Sequence, residues 1–145
     1  LYWLLAFALL GGCSTVAKFF PPSTKLKQIE VVAEIGANQG TATALDIVFV
    51  YDSNAVSLLP KTGPAWFAQK DALVAGLASG IEVVSLQVPP ATLVNVPLTS
   101  HNRSALGVYG FANYLTASGQ AAGNLTPYKN MQIWLTPSTV LYQGN

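Results

Sequence analysis

The chain has 145 residues, a formal net charge of +1 and 9% charged against 51% hydrophobic residues, where an average soluble domain carries roughly 25% charged residues. That length suits one domain with a real core and leaves no room for two large ones. The composition excludes intrinsic disorder, the lack of a basic stripe excludes a nucleic-acid partner, and a single cysteine excludes an internal disulfide.

Residues 1–10, LYWLLAFALL, are uniformly apolar but too few for a membrane-spanning helix, which needs about 20 apolar residues. They fit the apolar region of a secretory signal, closed by the small residues Gly11 and Gly12. At its end, Leu10, Gly11, Gly12 and Cys13 resemble the lipobox of bacterial lipoproteins. The resemblance implies cleavage before Cys13 and a covalent diacylglycerol and N-acyl lipid on that residue. Ser14, in place of an aspartate, resembles lipoproteins sorted to the outer membrane. Residues 1–12 therefore read as a lipoprotein signal peptide, 13–27 as a lipidated N-terminus and linker, and 28–145 as a β-sandwich domain. Tandem prolines at 21 and 22 with flanking Ser and Thr favour an extended, poorly packed tether. Lys18, Lys25 and Lys27 are its solvated charges, and Phe19 and Phe20 either dock on the domain or dip into lipid headgroups.

In QIEVVAEIG, Ile29, Val31, Ala33 and Ile35 alternate with Gln28, Glu30, Val32 and Glu34, the pattern of a half-buried strand. GANQGTATA (36–44) is small and polar, without either period, and reads as a loop. LDIVFVYD (45–52) is apolar on both faces over its middle, as a central strand of a packed sheet should be. With its predecessor it either forms a hairpin or changes sheet. Trp66, Phe67, Lys70, Leu73, Val74 and Leu77 recur near helical spacing. Pro64 suits the first helical position and Gly80 the residue after the end, which predicts an amphipathic helix over 64–79. A shorter turn covers 55–59. IEVVSLQV (81–88) and ATLVNVPL (91–98) are strands separated by Pro89 and Pro90, the second ending or lying on an edge at Pro97. After the polar turn TSHNRS comes ALGVYGFANYL (105–115), where Gly107 and Gly110 imply bends or close backbone approach. TASGQAAGNLTPYKN (116–130) reads as a long polar loop, and MQIWLTP and STVLYQG as two final strands. The expected fold is mainly β: an antiparallel β-sandwich, transthyretin-like, of about seven to eight strands with one inserted amphipathic helix.

Catalytic chemistry finds little footing. One histidine and scattered carboxylates do not make a metal-ligand set. His101 lies in a polar turn, without a GxSxG elbow anywhere. Glu30 with Glu34, and Asp46 with Asp52, read as outward charges on strands, a carboxylate pair only if a groove gathered them. GQAAG (119–123) lacks the Lys-Ser/Thr of a phosphate loop. The expectation is a protein that is no enzyme, with no metal and no cofactor beyond the lipid on Cys13.

The order of elements resembles the TssJ family, outer-membrane lipoproteins of the type VI secretion system. The matching pieces are the lipobox at Cys13, EVVAEI running into Ala37-Asn38, the small-residue loop before LDIVFVYD, the helix AWFAQKDAL with its aromatic start, the turn VPPATLVNVPL and the strand GVYGFANYL. The resemblance implies a non-catalytic role on the periplasmic face of the outer membrane. It also implies binding to the periplasmic domain of TssM, and through it to TssL, in a trans-envelope complex. The partner-binding element would be the loop between the first two strands: Ala37, Asn38, Gln39, Gly40, Thr41, Ala42, Thr43 and Ala44. Small residues there allow close approach, and Asn38 and Gln39 would offer amide hydrogen bonds from an exposed tip. Two other readings stay open. One is a periplasmic solute- or glycan-binding lipoprotein with an aromatic-lined pocket around Tyr109, Phe111, Tyr114 or Trp134; the other is an anchored hydrolase using His101.

Overall fold

The computed structural model describes residues 23–145; Cys13, the signal peptide, Phe19 and Phe20 lie outside the described residues. In chain order the elements are β1 (Gln28–Ala33), the single turn α1 (Ala37–Gly40), β2 (Thr43–Val50), the single turn α2 (Ser53–Val56), α3 (Gly63–Leu77), β3 (Ile81–Val88), β4 (Thr92–Val96), the single turn α4 (Ser100–Arg103), β5 (Gly107–Asn113), β6 (Gly123–Asn124), β7 (Asn130–Leu135) and β8 (Val140–Gly144). They build two four-stranded sheets, in the orders β4-β1-β7-β8 and β3-β2-β5-β6.

The apolar alternation of β1 does what its period demands: Ile29, Val31 and Ala33 are buried between the sheets. β2 is buried on both faces because it faces two cores. Leu45, Ile47 and Phe49 join the core between the sheets. Val48 and Val50 join a second core with Trp66, Ile81 and Phe111 under α3. The helix thus covers one outer sheet face and makes that side three layers deep. β1 and β2 belong to different sheets, so the connection between them crosses the sandwich instead of forming a hairpin.

Four expectations are corrected. The sandwich is not wholly antiparallel: β1 pairs with β7 in parallel, from Gln28 opposite Asn130 to Ala33 opposite Leu135. Parallel neighbours need a long crossover, which the rest of the chain supplies. Ile35 does not continue the buried stripe. The Glu34 carbonyl accepts from Ala37 N at 3.0 Å and Ala91 N at 3.1 Å, the chain turns, and Ile35 is left 86% exposed. Residues 24–27 are not free linker, since Thr24 and Leu26 are buried. Thr24 N donates to Ala105 O and Lys27 N to Lys129 O, both at 2.7 Å. The segment 116–130 is not all loop, because it contributes β6 and the buried Gln120, whose side-chain oxygen accepts from Val140 N at 3.0 Å.

α3 starts where its sequence says it should. The Thr62 hydroxyl accepts from Ala65 N at 3.3 Å, and Pro64 sits in the first turn. Its contact face is narrow: Gly63 and Trp66 are buried, Phe67, Leu73 and Leu77 pack against the second core, and Val74 stays exposed. Gly63 lies so close to β5 that a Cβ there would overlap the Ala112 carbonyl. Close approach also explains Gly110, where a Cβ would lie 2.7 Å from the ring of Tyr142 arriving from the opposite sheet. β4 is an edge strand and ends at Val96, just before Pro97.

Candidate functional site

The turn from β1 to β2 is built around one side chain. Asn38, Gln39 and Gly40 all take left-handed backbone angles, φ 48°, 57° and 79°, a conformation that asparagine tolerates better than most residues. Asn38 is 3% exposed. Its side-chain oxygen accepts from Leu115 N at 2.8 Å, and its Nδ2 donates to Ala42 O at 3.3 Å and reaches Asn113 O at 3.5 Å. Its backbone N donates to Thr136 O, and that of Gln39 to Pro137 O, each at 3.1 Å. The turn is therefore pinned to the end of β5 and to the β7–β8 hairpin.

This changes the expected loop. Ala37, Asn38 and Thr43 are buried, and Ala44 is a half-buried rung of β2 opposite Gln87 and Asn113. Exposure is confined to Gln39, Gly40, Thr41 and Ala42. The Asn38 amide is spent inside the fold, and the Thr41 hydroxyl donates to Asn38 O at 2.7 Å, so Gln39 and Ala42 present the free side chains. Sequence reasoning missed two neighbours. Ile35 and Leu115 are 86% and 62% exposed; one leads into the turn and the other is hydrogen-bonded to it. The signal for Ile35 was Gly36, directly after it, which breaks the strand pattern one step earlier than the alternation implied. Beneath them, the Tyr114 hydroxyl lies 3.1 Å and 3.0 Å from the carbonyls of Thr136 and Thr139. Burial, with the Glu34 charge adding, pushes its pKa up to about 12, so the phenol is a fixed neutral donor closing this end.

The rival sites do not assemble. Phe111 is fully buried, stacked on Trp66 at 4.8 Å between ring centres. Tyr109 packs with the α3 core. Tyr114 belongs to the turn end, and Trp134 lies on the other sheet, its Nε1 donating to Gln132 Oε1 at 2.6 Å. The four aromatics therefore do not converge on one pocket: Tyr109 and Phe111 share the α3 core, while Tyr114 and Trp134 lie elsewhere. His101 stacks on Tyr51 at 4.1 Å and places Nε2 3.9 Å from Glu82 Oε2. Tyr51 OH donates to that same carboxylate at 3.0 Å. Among the described residues no serine or threonine hydroxyl bonds the imidazole, whose neighbours are the Tyr51 ring and Glu82.

The carboxylates are dispersed, and Asp46 is not outward. It is 1% exposed, accepting from Trp66 Nε1 at 2.8 Å and paired with Lys70 Nζ at 2.9 Å. Lys70 also reaches Ser85 Oγ at 2.8 Å, which explains the lone polar residue on the helical stripe. Asp52 caps α2 by accepting from Asn54 N at 2.9 Å, and Glu30 accepts from Gln132 Nε2 at 2.6 Å. Among the described residues no group of three or more His, Cys, Asp or Glu side chains could hold a metal.

No protein-family model matches the sequence, and no curated protein matches it. Solved structures do match. The type VI secretion lipoprotein TssJ1 from Pseudomonas aeruginosa superposes with a TM-score of 0.57 at 14% identity, covering 86% of this chain and 98% of that one. Serratia marcescens Lip, a membrane-bound component of the type VI secretion system, gives 0.59 at 10% identity with the same coverage. A structure of the TssM C-terminal domain from EAEC gives 0.52 at 16% identity, covering 80% of this chain and 98% of that one. At these identities the likeness is one of fold, and the chain has the β-sandwich fold of the type VI secretion proteins TssJ1 and Lip.

Proposed function

We propose that this chain is a TssJ-type lipoprotein of a type VI secretion system, without catalytic activity. In this reading lipid on Cys13 holds it on the periplasmic face of the outer membrane. The end of the sandwich bearing Gln39, Gly40, Thr41 and Ala42 binds the periplasmic domain of TssM, and through it TssL. The observation that carries the reading is a rigid, exposed turn flanked by Ile35 and Leu115 on a fold shared with TssJ1 and Lip. Two large aliphatic side chains left in water beside one turn favour a protein partner, since burying each fully contributes about 1.5–3 kcal/mol. The turn lies beyond the C-terminal end of β1, while the chain enters the domain before its N-terminal end. A six-residue strand separates the two ends by about 20 Å, so the turn and the point of chain entry lie at opposite ends of β1. Each buried methylene of an acyl chain contributes about 0.8 kcal/mol, so several chains give stable attachment. Confinement also raises the effective concentration of the turn near its partner.

Ile35→Asp is expected to weaken capture of the TssM periplasmic domain at least ten-fold while leaving the thermal midpoint unchanged, because the side chain touches solvent and not core. Unaltered affinity would reject this end as the interface. Cys13→Ser should leave the domain folded and move it from the membrane to the soluble fraction; recovery of the variant with membranes sinks the anchor.

A further inference from the structure

We propose that the end of the sandwich where the chain enters is a docking surface for the anionic headgroups of the bilayer that holds the anchor; this rests on the lipid-anchored reading above. Lys25, Lys27, Arg103 and Lys129 line one shallow cleft of about 500 Å³ together with Thr24 and Leu26. The cations come from three separate segments: the entering chain, α4 and the stretch before β7. The fold brings them together through the hydrogen bonds from Thr24 N to Ala105 O and from Lys27 N to Lys129 O, both 2.7 Å. Four of the seven lysines and arginines of the whole chain therefore converge on one end. All four are exposed, and no acidic residue lines the cleft. Among the described residues the lysine–carboxylate pair is Lys70 with Asp46, and none of the four cations pairs with a carboxylate.

The position of the cleft identifies what covers it. Only residues 14–22 separate Cys13 from the first described residue, Ser23, and even fully extended that stretch spans about 30 Å. The entry end is the part of the domain that this tether joins to the acyl chains, and it can reach the bilayer surface. The site is open and made of three ammonium groups and one guanidinium, and its one buried hydroxyl, Thr24, already donates to Thr126 O at 3.2 Å. That suits a fluid array of anionic headgroups better than a single enclosed phosphate. Each cation near an anionic leaflet strengthens binding roughly five-fold, within a Debye length of the surface. Acyl chains alone would let the domain swivel. With the basic end seated on the headgroups, β1 leads away from the bilayer and the Gln39–Ala42 turn is presented outward.

The test uses the unlipidated chain from residue 13 onward carrying Cys13→Ser, so that the acyl anchor cannot contribute. Sedimentation with vesicles of phosphatidylethanolamine and phosphatidylglycerol should recover at least ten-fold more protein than sedimentation with neutral phosphatidylcholine vesicles. The excess should fall as salt rises. Lys27→Gln with Lys129→Gln should remove at least ten-fold of that binding with the thermal midpoint kept, and Lys61→Gln, outside the cleft, should change nothing. If the pair of substitutions perturbs folding, Lys25→Gln with Arg103→Gln reads the same surface. Equal recovery on neutral and anionic vesicles, undiminished binding of the variants, or full displacement by inorganic phosphate each overturns the proposal. A negative outcome leaves the lipid anchor standing, because fractionation of the lipidated protein tests that separately.

Discussion

Trp66→Ala is expected to lower the unfolding free energy by about 4 kcal/mol, within the range for removing a large aromatic from a core. Trp66 is fully buried and stacks on Phe111, and its Nε1 donates to the buried Asp46 at 2.8 Å. The substitution therefore opens a cavity and takes a donor from a carboxylate with almost no access to water. Trp66→Phe separates the two losses: it keeps a ring against Phe111 and removes only the donor, costing about 2 kcal/mol, as for an acceptor left short of a partner. Urea unfolding checks both, and the slope should stay unchanged because the exposed surface is the same. An unshifted midpoint for Trp66→Ala would mean that α3 is held by its flanking residues and not by this contact.

Asn38→Ala should cost about 2–3 kcal/mol and weaken TssM capture as strongly as Ile35→Asp. Part of the cost is a left-handed backbone that alanine adopts at about 1 kcal/mol. The rest is the loss of the acceptor for Leu115 N and the donor for Ala42 O. Asn38→Gly divides these, since glycine accepts φ of 48° freely but restores neither hydrogen bond. It should fall between wild type and Asn38→Ala in stability, yet bind as poorly as the alanine variant. Faster amide exchange at Leu115 in both would report the broken bond directly. Capture that survives in Asn38→Ala would show that the shape of the turn is irrelevant to the partner.

What the sequence disclosed follows from the range of the interactions involved. A run such as LDIVFVYD carries its burial in its own composition, so a strand covered on both faces could be placed before knowing that α3 supplies the second cover. The N-terminal turn of α3 was legible because Pro64 acts on its own backbone. Asn38 was misjudged because a small polar run looks like an exposed tip. Its real task is to satisfy backbone groups at and just past the end of β5, those of residues 113 and 115, and no local pattern announces that need. Asp46 failed for the same reason: only the arrival of Trp66 and Lys70 makes a buried carboxylate tolerable in β2. Leu26 was hidden by the lysines on either side of it. In each case the deciding partner lies far along the chain, beyond the reach of periodicity.

The parallel seam between β1 and β7 governs how this molecule can fold. β1 occupies the interior of its sheet, and its rung Glu30 meets Gln132, 102 residues later. Closing so large a loop precedes any reward from the pairing, which makes assembly slow and dependent on nearly the whole chain. β4 can pair with one edge of β1 earlier, but the other edge stays open until β7 is available. The sheet β4-β1-β7-β8 is therefore completed only by the last strands of the chain, and losing them would turn the interior strand β1 into an open edge.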